Sequence, residues 1–112
     1  MNDDDTEPQF TSRANDDRCV VTVSGDIDMA TAADFRRHLE ATTQPLVLID
    51  LNHVTYIDSA GIHAVDRALA ALTQRQQRVR IIASPNSAAG WTFKVAGFDP
   101  GILFPSEAAA LA

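Results

Sequence analysis

Short apolar runs rich in β-branched residues alternate along this chain with segments whose apolar residues recur every three to four positions. The runs at 18–24, 46–51 and 79–83 predict three strands, and weaker patterns at 10–13 and 101–104 predict two short ones. The run at 46–51 is almost continuously apolar, which is typical of a strand covered on both faces. Glycine is expected to end the strand at 18–24.

The segments between these strands have the period of amphipathic helices. Thr31 is expected to cap the first helix, with Asp34 completing a capping box and with Phe35 and Leu39 facing inward. The second helix is predicted over about 59–76. Its buried stripe is expected to contain Ile62, Val65, Leu69 and Leu72.

A third helix is predicted to open at 85–86 and to end at Gly97. It carries Trp91, the one tryptophan of the chain. We expect this side chain to pack in the core against Phe98 or Phe104 rather than to anchor an interface.

The predicted order of elements is β-β-α-β-α-β-α-β-α, with Ser106 capping the last short helix. Strands that alternate with helices require right-handed crossovers and a largely parallel sheet, although the opening pair can be antiparallel. We therefore predict an α/β fold with a mixed β-sheet of four to five strands and about four helices, in one domain over 9–112. Residues 1–8 are acidic and are predicted to be disordered.

The charge and composition exclude several classes of protein. A net charge of −6 argues against direct binding to nucleic acid, because phosphate backbones are recognised with surplus Lys and Arg. No apolar run approaches the roughly 20 residues that span a bilayer, and the chain opens without the blocks of a signal peptide. We expect a cytoplasmic protein without membrane association. Few obvious surface apolar groups predict a monomer.

The cysteine and histidine content predicts no redox or metal chemistry. Cys19 is the only cysteine, and its apolar neighbours predict a buried structural thiol. The histidines, His38, His53 and His63, are scattered without the paired spacing of metal ligands.

Residues 50–62, DLNHVTYIDSAGI, carry the most informative pattern. A buried strand is expected to end near Leu51, after which a loop turns Tyr56 and Ile57 inward and Ser59 begins the second helix. Open α/β sheets bind their ligands beyond the carboxyl ends of the strands, which is where this serine should lie.

The local chemistry leaves several roles open for Ser59. A hydrolase nucleophile is disfavoured, because Ile57 replaces the first glycine of G-x-S-x-G and no later Asp-then-His pair exists. Nucleotide binding has only a lone helix N-terminus in its favour. Phosphorylation would add about −1.5 to −2 charges next to Asp58 and near Asp26 and Asp28, which are expected on a loop. The simplest role is that of a helix N-cap.

Three motifs occur in a characteristic order, SGDID at 24–28, YIDSAGI at 56–62 and AGF at 96–98. They resemble the G-[ED]-[LI]-D strand end, the central D-S-[SA]-G-[LI] signature and the G-[LF] helix ending of the STAS family. Within that family, they are most similar to the bacterial anti-sigma factor antagonists. The resemblance covers residues 18–111. The present chain has alanine at a place often held by a second serine, which leaves Ser59 as the only hydroxyl in the signature.

This resemblance implies a partner switch. Ser59 would be phosphorylated by an anti-sigma factor that is an ATP-dependent serine kinase, and a serine phosphatase would reverse the modification. The unphosphorylated chain would bind the kinase and free a sigma factor, acting as substrate and ligand rather than as an enzyme, without a cofactor. The partner-binding residues expected around Ser59 are Asp28, Asp58, Ala60, Gly61, His63, Asp66 and Arg67.

A non-phosphorylated STAS subunit of a transporter, such as a lipid-transport complex, is the alternative. It would share the fold and use the same helices as an interface. The intact Asp58-Ser59 pair and its acidic surroundings favour the switch.

Overall fold

The computed structural model describes residues 9–112, so the predicted disorder of residues 1–8 lies outside the described part of the chain. The five strands are β1 (Gln9–Ala14), β2 (Arg18–Ile27), β3 (Leu46–Ile57), β4 (Arg78–Ile82) and β5 (Leu103–Phe104). The four helices are α1 (Ala32–Glu40), α2 (Ser59–Gln74), α3 (Ala88–Val95) and α4 (Glu107–Leu111). A 3-10 turn at Pro100–Ile102 precedes β5.

The strands form one mixed sheet in the order β1-β2-β3-β4-β5, with β1 antiparallel to β2 and all other neighbours parallel. This confirms the predicted α/β fold and its element order. Each of the three helical connections, from β2 to β3, from β3 to β4 and from β4 to β5, leads to the next strand on the same side of the sheet. Right-handed connections therefore place α1, α2 and α3 on one face. Within residues 9–112, no helix has the length and apolar character required to cross a membrane.

Two cores lie on opposite faces of the sheet. The larger core lies under the first three helices and includes Val21, Ile49, Phe35, Val65 and Phe93, all fully buried. The smaller core lies under α4 and comprises Val20, Leu48, Ile82 and Ala110. Residues 47 and 48 are both buried although their side chains point to opposite faces, which confirms that this strand is covered on both sides.

The predicted ends of β2 and β3 are wrong, because both strands continue to Ile27 and Ile57. Gly25 stays within β2 at a φ of 89°, a backbone conformation that side-chain-bearing residues rarely adopt. The register between β2 and β3 shifts between Thr22 and Ser24 and again at Gly25, where β3 holds one extra residue each time. These β-bulges let the pair continue past the glycine.

The second bulge reverses the expected orientation of Tyr56. Val54 and Ile57 both face the larger core although they are three residues apart. Tyr56 therefore faces outward with 53% of its surface exposed, and the prediction that it turns inward is wrong.

Helix α1 begins after Thr31 as predicted, but its capping bond and the start of the third helix differ from the predictions. The Thr31 hydroxyl makes no capping bond to α1; instead it accepts a hydrogen bond from the Asp28 N–H at 3.0 Å and stabilises the preceding loop. Helix α3 begins at Ala88 rather than at 85–86, because Ser87 Oγ accepts from the Gly90 N–H at 3.0 Å and caps it. The predictions that Gly97 ends this helix and that Ser106 caps α4 are confirmed.

Cys19 is buried, with 3% of its surface exposed, as the sequence predicts. Burial raises the pKa of this thiol, and a hydrogen bond with Ser12 offsets part of that increase. A raised pKa leaves less of the reactive thiolate near neutral pH.

We expect a thiol reagent at pH 8 to modify folded Cys19 at least about 100-fold more slowly than the urea-unfolded chain, because reaction requires opening of the core. The rate is measured spectrophotometrically with an aromatic disulfide reagent. Equal rates in the folded and unfolded chains would show that the thiol is accessible.

Candidate functional site

The candidate site lies where β2 and β3 end side by side. Ile27 and Ile57 are paired in the parallel register, and each is followed by an aspartate, Asp28 and Asp58. The Asp58 N–H donates to the Ile27 carbonyl at 3.2 Å and joins the two strand ends. Ser59 follows directly, so the predicted location beyond the carboxyl ends of the strands is confirmed.

The N-cap of α2 is Asp58, not Ser59. Asp58 has the extended backbone of a capping residue, and its Oδ1 accepts from the Gly61 N–H at 3.0 Å. The interpretation of Ser59 as a helix cap is therefore wrong. Ser59 is the first helical residue and is exposed, and within residues 9–112 its hydroxyl forms no hydrogen bond.

Gly61 holds the first turn of α2 close against the strand ends. It is buried, and a Cβ atom built on it would lie 2.6 Å from Ile57 Cγ1 and 2.8 Å from the Ile27 carbonyl oxygen. Since the carbonyl belongs to the sheet and cannot swing away, this position accepts no side chain. Ala60 beside it is half-buried.

The aspartates near the strand ends are hydrogen-bonded within the chain. Asp28 Oδ1 accepts from the Ala30 N–H at 3.0 Å and from the Thr31 hydroxyl at 3.2 Å. Asp26 lies in β2 rather than on the expected loop, and its Oδ1 accepts from the Thr55 hydroxyl at 2.6 Å. The Thr55 hydroxyl is therefore occupied, whereas that of Ser59 is free among the residues described.

The outer face of α2 carries His63, Asp66 and Arg67, all exposed. Arg67 Nε donates to His63 Nε2 at 3.2 Å, one helical turn away. The Nε2 atom of His63 therefore accepts the guanidinium N–H. His63 forms no hydrogen bond to Ser59, which a general base that activates a serine nucleophile would do. In the described chain, no group of three His, Cys, Asp or Glu side chains is arranged to hold a metal ion.

Ser59 lies between two open grooves that separate α2 from α3 and the following turn. The acidic groove, of about 580 Å³, is lined by Ser59, His63, Asp66 and Asp99 among others. The apolar groove, of about 240 Å³, is lined by Ser59, Ile62, Trp91 and Val95 among others. Sequence reasoning did not connect α3 with this site.

Trp91 is 63% exposed, so the predicted packing in the core is wrong. Phe98 instead packs edge-on against Phe93 with ring centroids 4.7 Å apart. A signal was present in the sequence, because α3 carries two apolar pairs on opposite sides, and only one pair can face the sheet. Ala89 and Phe93 face the core, which leaves Trp91 and Val95 outside.

Comparisons with known proteins agree with this architecture. A model of the STAS domain family matches residues 9–110. An anti-sigma factor antagonist from Mycobacterium paratuberculosis is 26% identical, with a TM-score of 0.82 over 95% of this chain and 92% of that chain.

Two more distant structures share the fold. The Bacillus cell fate determinant SpoIIAA in its phosphorylated form is 15% identical, with a TM-score of 0.70 over 92% of this chain and 96% of that chain. A sulfate transporter family protein from Wolinella succinogenes is 18% identical, with a TM-score of 0.65 over 82% of this chain and 80% of that chain.

We expect Gly61→Ala to destabilise the protein by about 1–3 kcal/mol, the cost of overpacking a tight contact. Alanine gains up to about 1 kcal/mol of helix propensity over glycine, but the clash with the Ile27 carbonyl outweighs it. Urea unfolding followed by circular dichroism measures the change. Gly101→Ala is the control, since its nearest neighbour is the exposed Asp99 carboxylate at 3.2 Å. Equal stability of the two variants would refute the close-packing argument.

We expect Asp58→Ala to lose about 0.5–2 kcal/mol of stability, whereas Asp58→Asn keeps the cap and stays near wild type. Thermal unfolding measures both variants. Asp66→Ala, an exposed change in the same helix, should stay within about 0.5 kcal/mol of wild type. Equal losses in the two Asp58 variants would show that the carboxylate charge, not the cap, stabilises the helix.

Proposed function

Because this chain belongs to the STAS domain family, we propose that it is an anti-sigma factor antagonist that is switched off by phosphorylation at Ser59. In its unphosphorylated form it binds an anti-sigma factor that is an ATP-dependent serine kinase, and thereby frees a sigma factor. Phosphorylation breaks that complex, and a serine phosphatase restores it. The chain acts as substrate and ligand, not as an enzyme, and regulates transcription without touching DNA.

The observation that carries this proposal is the Ser59 hydroxyl, which forms no hydrogen bond with any other residue of 9–112. It is exposed at the start of α2, and the cap that it could have supplied is provided by Asp58. A kinase can therefore modify the hydroxyl without removing a hydrogen bond that holds the helix.

The helix start tolerates a phosphate electrostatically. A negative group at a helix N-terminus is favoured by about 0.3–1 kcal/mol, so the fold persists after phosphorylation. The surface changes far more, because a charge of about −1.5 to −2 joins Asp58, Asp66 and Asp99, which line the same grooves as Ser59. A partner that fits the neutral serine meets strong repulsion or an unpaired buried charge.

The proposed docking surface consists of exposed side chains whose position depends on the close packing of Gly61. Asp28 and Asp58 shape the loop and cap, and the exposed side chains on α2 contact the kinase directly. These are Ser59, His63, Asp66 and Arg67, with Ala60 half-buried beside them. Gly61 is buried and contributes the position of the helix rather than a contact.

The free protein is proposed to be a cytoplasmic monomer, although one premise of that expectation is wrong. Residues 9–112 expose four large apolar side chains, Met29, Tyr56, Trp91 and Val95. The monomer is supported instead by the carboxylates around Ser59, because a symmetric dimer through this surface would bring two acidic sets close together.

We expect an anti-sigma serine kinase from the same genome, with ATP, to transfer one phosphate to the wild-type chain and none to Ser59→Ala. Mass spectrometry of the intact chain and its peptides locates the phosphate. Thr55→Ala is the matched control and should still receive one phosphate at Ser59. In the wild type the Thr55 hydroxyl is bonded to Asp26, so we do not expect it to accept the phosphate. Phosphate on Thr55 instead of Ser59 would overturn the assignment.

Ser59→Glu should weaken binding to that kinase about 100-fold, equivalent to about 2.7 kcal/mol, whereas Ser59→Ala binds like wild type. Calorimetric titration measures both. Binding that is indifferent to Ser59→Glu, together with an unmodified Ser59, would favour the transporter-scaffold alternative, which shares this fold.

A further inference from the structure

Helix α3 exposes a pair of large apolar side chains that the fold itself does not use. Trp91 and Val95 lie one turn apart and are 63% and 64% exposed. The opposite side of the helix, with Ala89 and Phe93, already supplies the contacts to the core. Removing Trp91 from solvent would therefore stabilise a complex without any change in the fold.

This apolar pair borders Ser59 directly. The apolar groove contains Asp58, Ser59 and Ile62 from the α2 side and Trp91, Val95 and Ala96 from the α3 side. Any protein that covers the tryptophan at this groove also covers the Ser59 hydroxyl. A partner docked in this groove can therefore contact the Ser59 hydroxyl and the apolar surface of Trp91 at the same time. The serine alone could not supply that hydrophobic contact.

Resting on the proposed function, we propose that Trp91 and Val95 form the hydrophobic anchor for the anti-sigma kinase, so that the docking surface spans α2 and α3 with Ser59 in the groove between them. The kinase surface that fits presents an apolar patch bordered by Lys or Arg. Exposed tryptophans at the centre of an interface typically contribute much of the binding energy.

The charges around the anchor distinguish this occupant from a second copy of the chain. Asp58 lies at the apolar groove, and Asp66 and Asp99 line the acidic groove beside it. A basic rim on the partner complements these carboxylates. A second copy docked through the same face would bring the two acidic sets together, which is repulsive.

The anchor also explains how one phosphate can separate two proteins. A group of about −1.5 to −2 charges would be trapped beside a tryptophan that the partner has removed from water. Burying such a charge without a cationic partner is costly, and solvent cannot enter while the anchor remains in contact. Complex dissociation restores hydration of both groups.

The test measures binding of the kinase to wild type, Trp91→Ala, Trp91→Phe and Tyr56→Ala by calorimetric titration. We expect Trp91→Ala to weaken binding at least about 30-fold and Trp91→Phe to weaken it less. Tyr56→Ala, which removes an exposed aromatic ring that lines neither groove, should stay within about 3-fold of wild type. Thermal unfolding of Trp91→Ala should match wild type, because exposed side chains contribute little to stability.

A second measurement reports burial directly. Trp91 is the only tryptophan, so a fluorotryptophan label gives one fluorine NMR signal from this chain. That signal should shift when unlabelled kinase is added to the unphosphorylated chain. When the same kinase is added to the chain phosphorylated at Ser59, the signal should stay where it was before the addition.

Each contrary outcome identifies what fails. Wild-type chain that neither binds the kinase nor receives a phosphate overturns the proposed function and the anchor together. Wild-type binding with full affinity retained in Trp91→Ala overturns the anchor alone, as does an equal loss in Tyr56→Ala. A dimer of the free chain that Trp91→Ala dissociates, with kinase affinity unchanged, assigns the pair to self-association instead.

Discussion

The architecture of the site depends on how closely the first turn of α2 approaches the ends of β2 and β3. The space at Gly61 is bounded by the Ile57 side chain and the Ile27 carbonyl, and it admits no Cβ atom. This contact fixes the depth and rotation of the helix start. It lets Asp58 bond both to the Ile27 carbonyl and to the Gly61 N–H, which leaves the next residue, Ser59, facing solvent.

Helix α3 is positioned in the same way, by a capping side chain and a closely packed glycine. Ser87 caps its first turn by accepting from the Gly90 N–H, as Asp58 does for Gly61. A Cβ atom on Gly90 would lie only 2.0 Å from the Ser84 carbonyl oxygen. Both helices thus begin with a capping residue followed three positions later by a buried glycine. The walls of the groove between these helices are therefore positioned by two capped, closely packed helix starts.

The sequence predicts the strands and helices better than it predicts their limits. The β-branched runs identify the sheet, but the bulges interrupt the period of two, so Val54 and Ile57 do not read as members of the same strand as Leu51. Asp58 and Ser59 are both good capping residues, and the bond from the Asp58 N–H to Ile27 decides between them. The two opposed apolar pairs of α3 show that only one pair can face the sheet, but the backbone approach at Gly90 decides which one does.

Under the proposed function, the assignment of the cap to Asp58 separates the stability of the chain from its phosphorylation at Ser59. A domain of this size has a stability of only about 5–15 kcal/mol, and a loss of 1–2 kcal/mol can change cellular abundance several-fold through proteolysis of unfolded molecules. Ser59 does not cap the helix, so a phosphate on it leaves the hydrogen bonds of the helix start in place. The phosphorylated and unphosphorylated proteins would therefore be degraded at similar rates. Under the proposed function, the modified protein is a durable reservoir, and the ratio of kinase to phosphatase activity sets the active fraction without new synthesis.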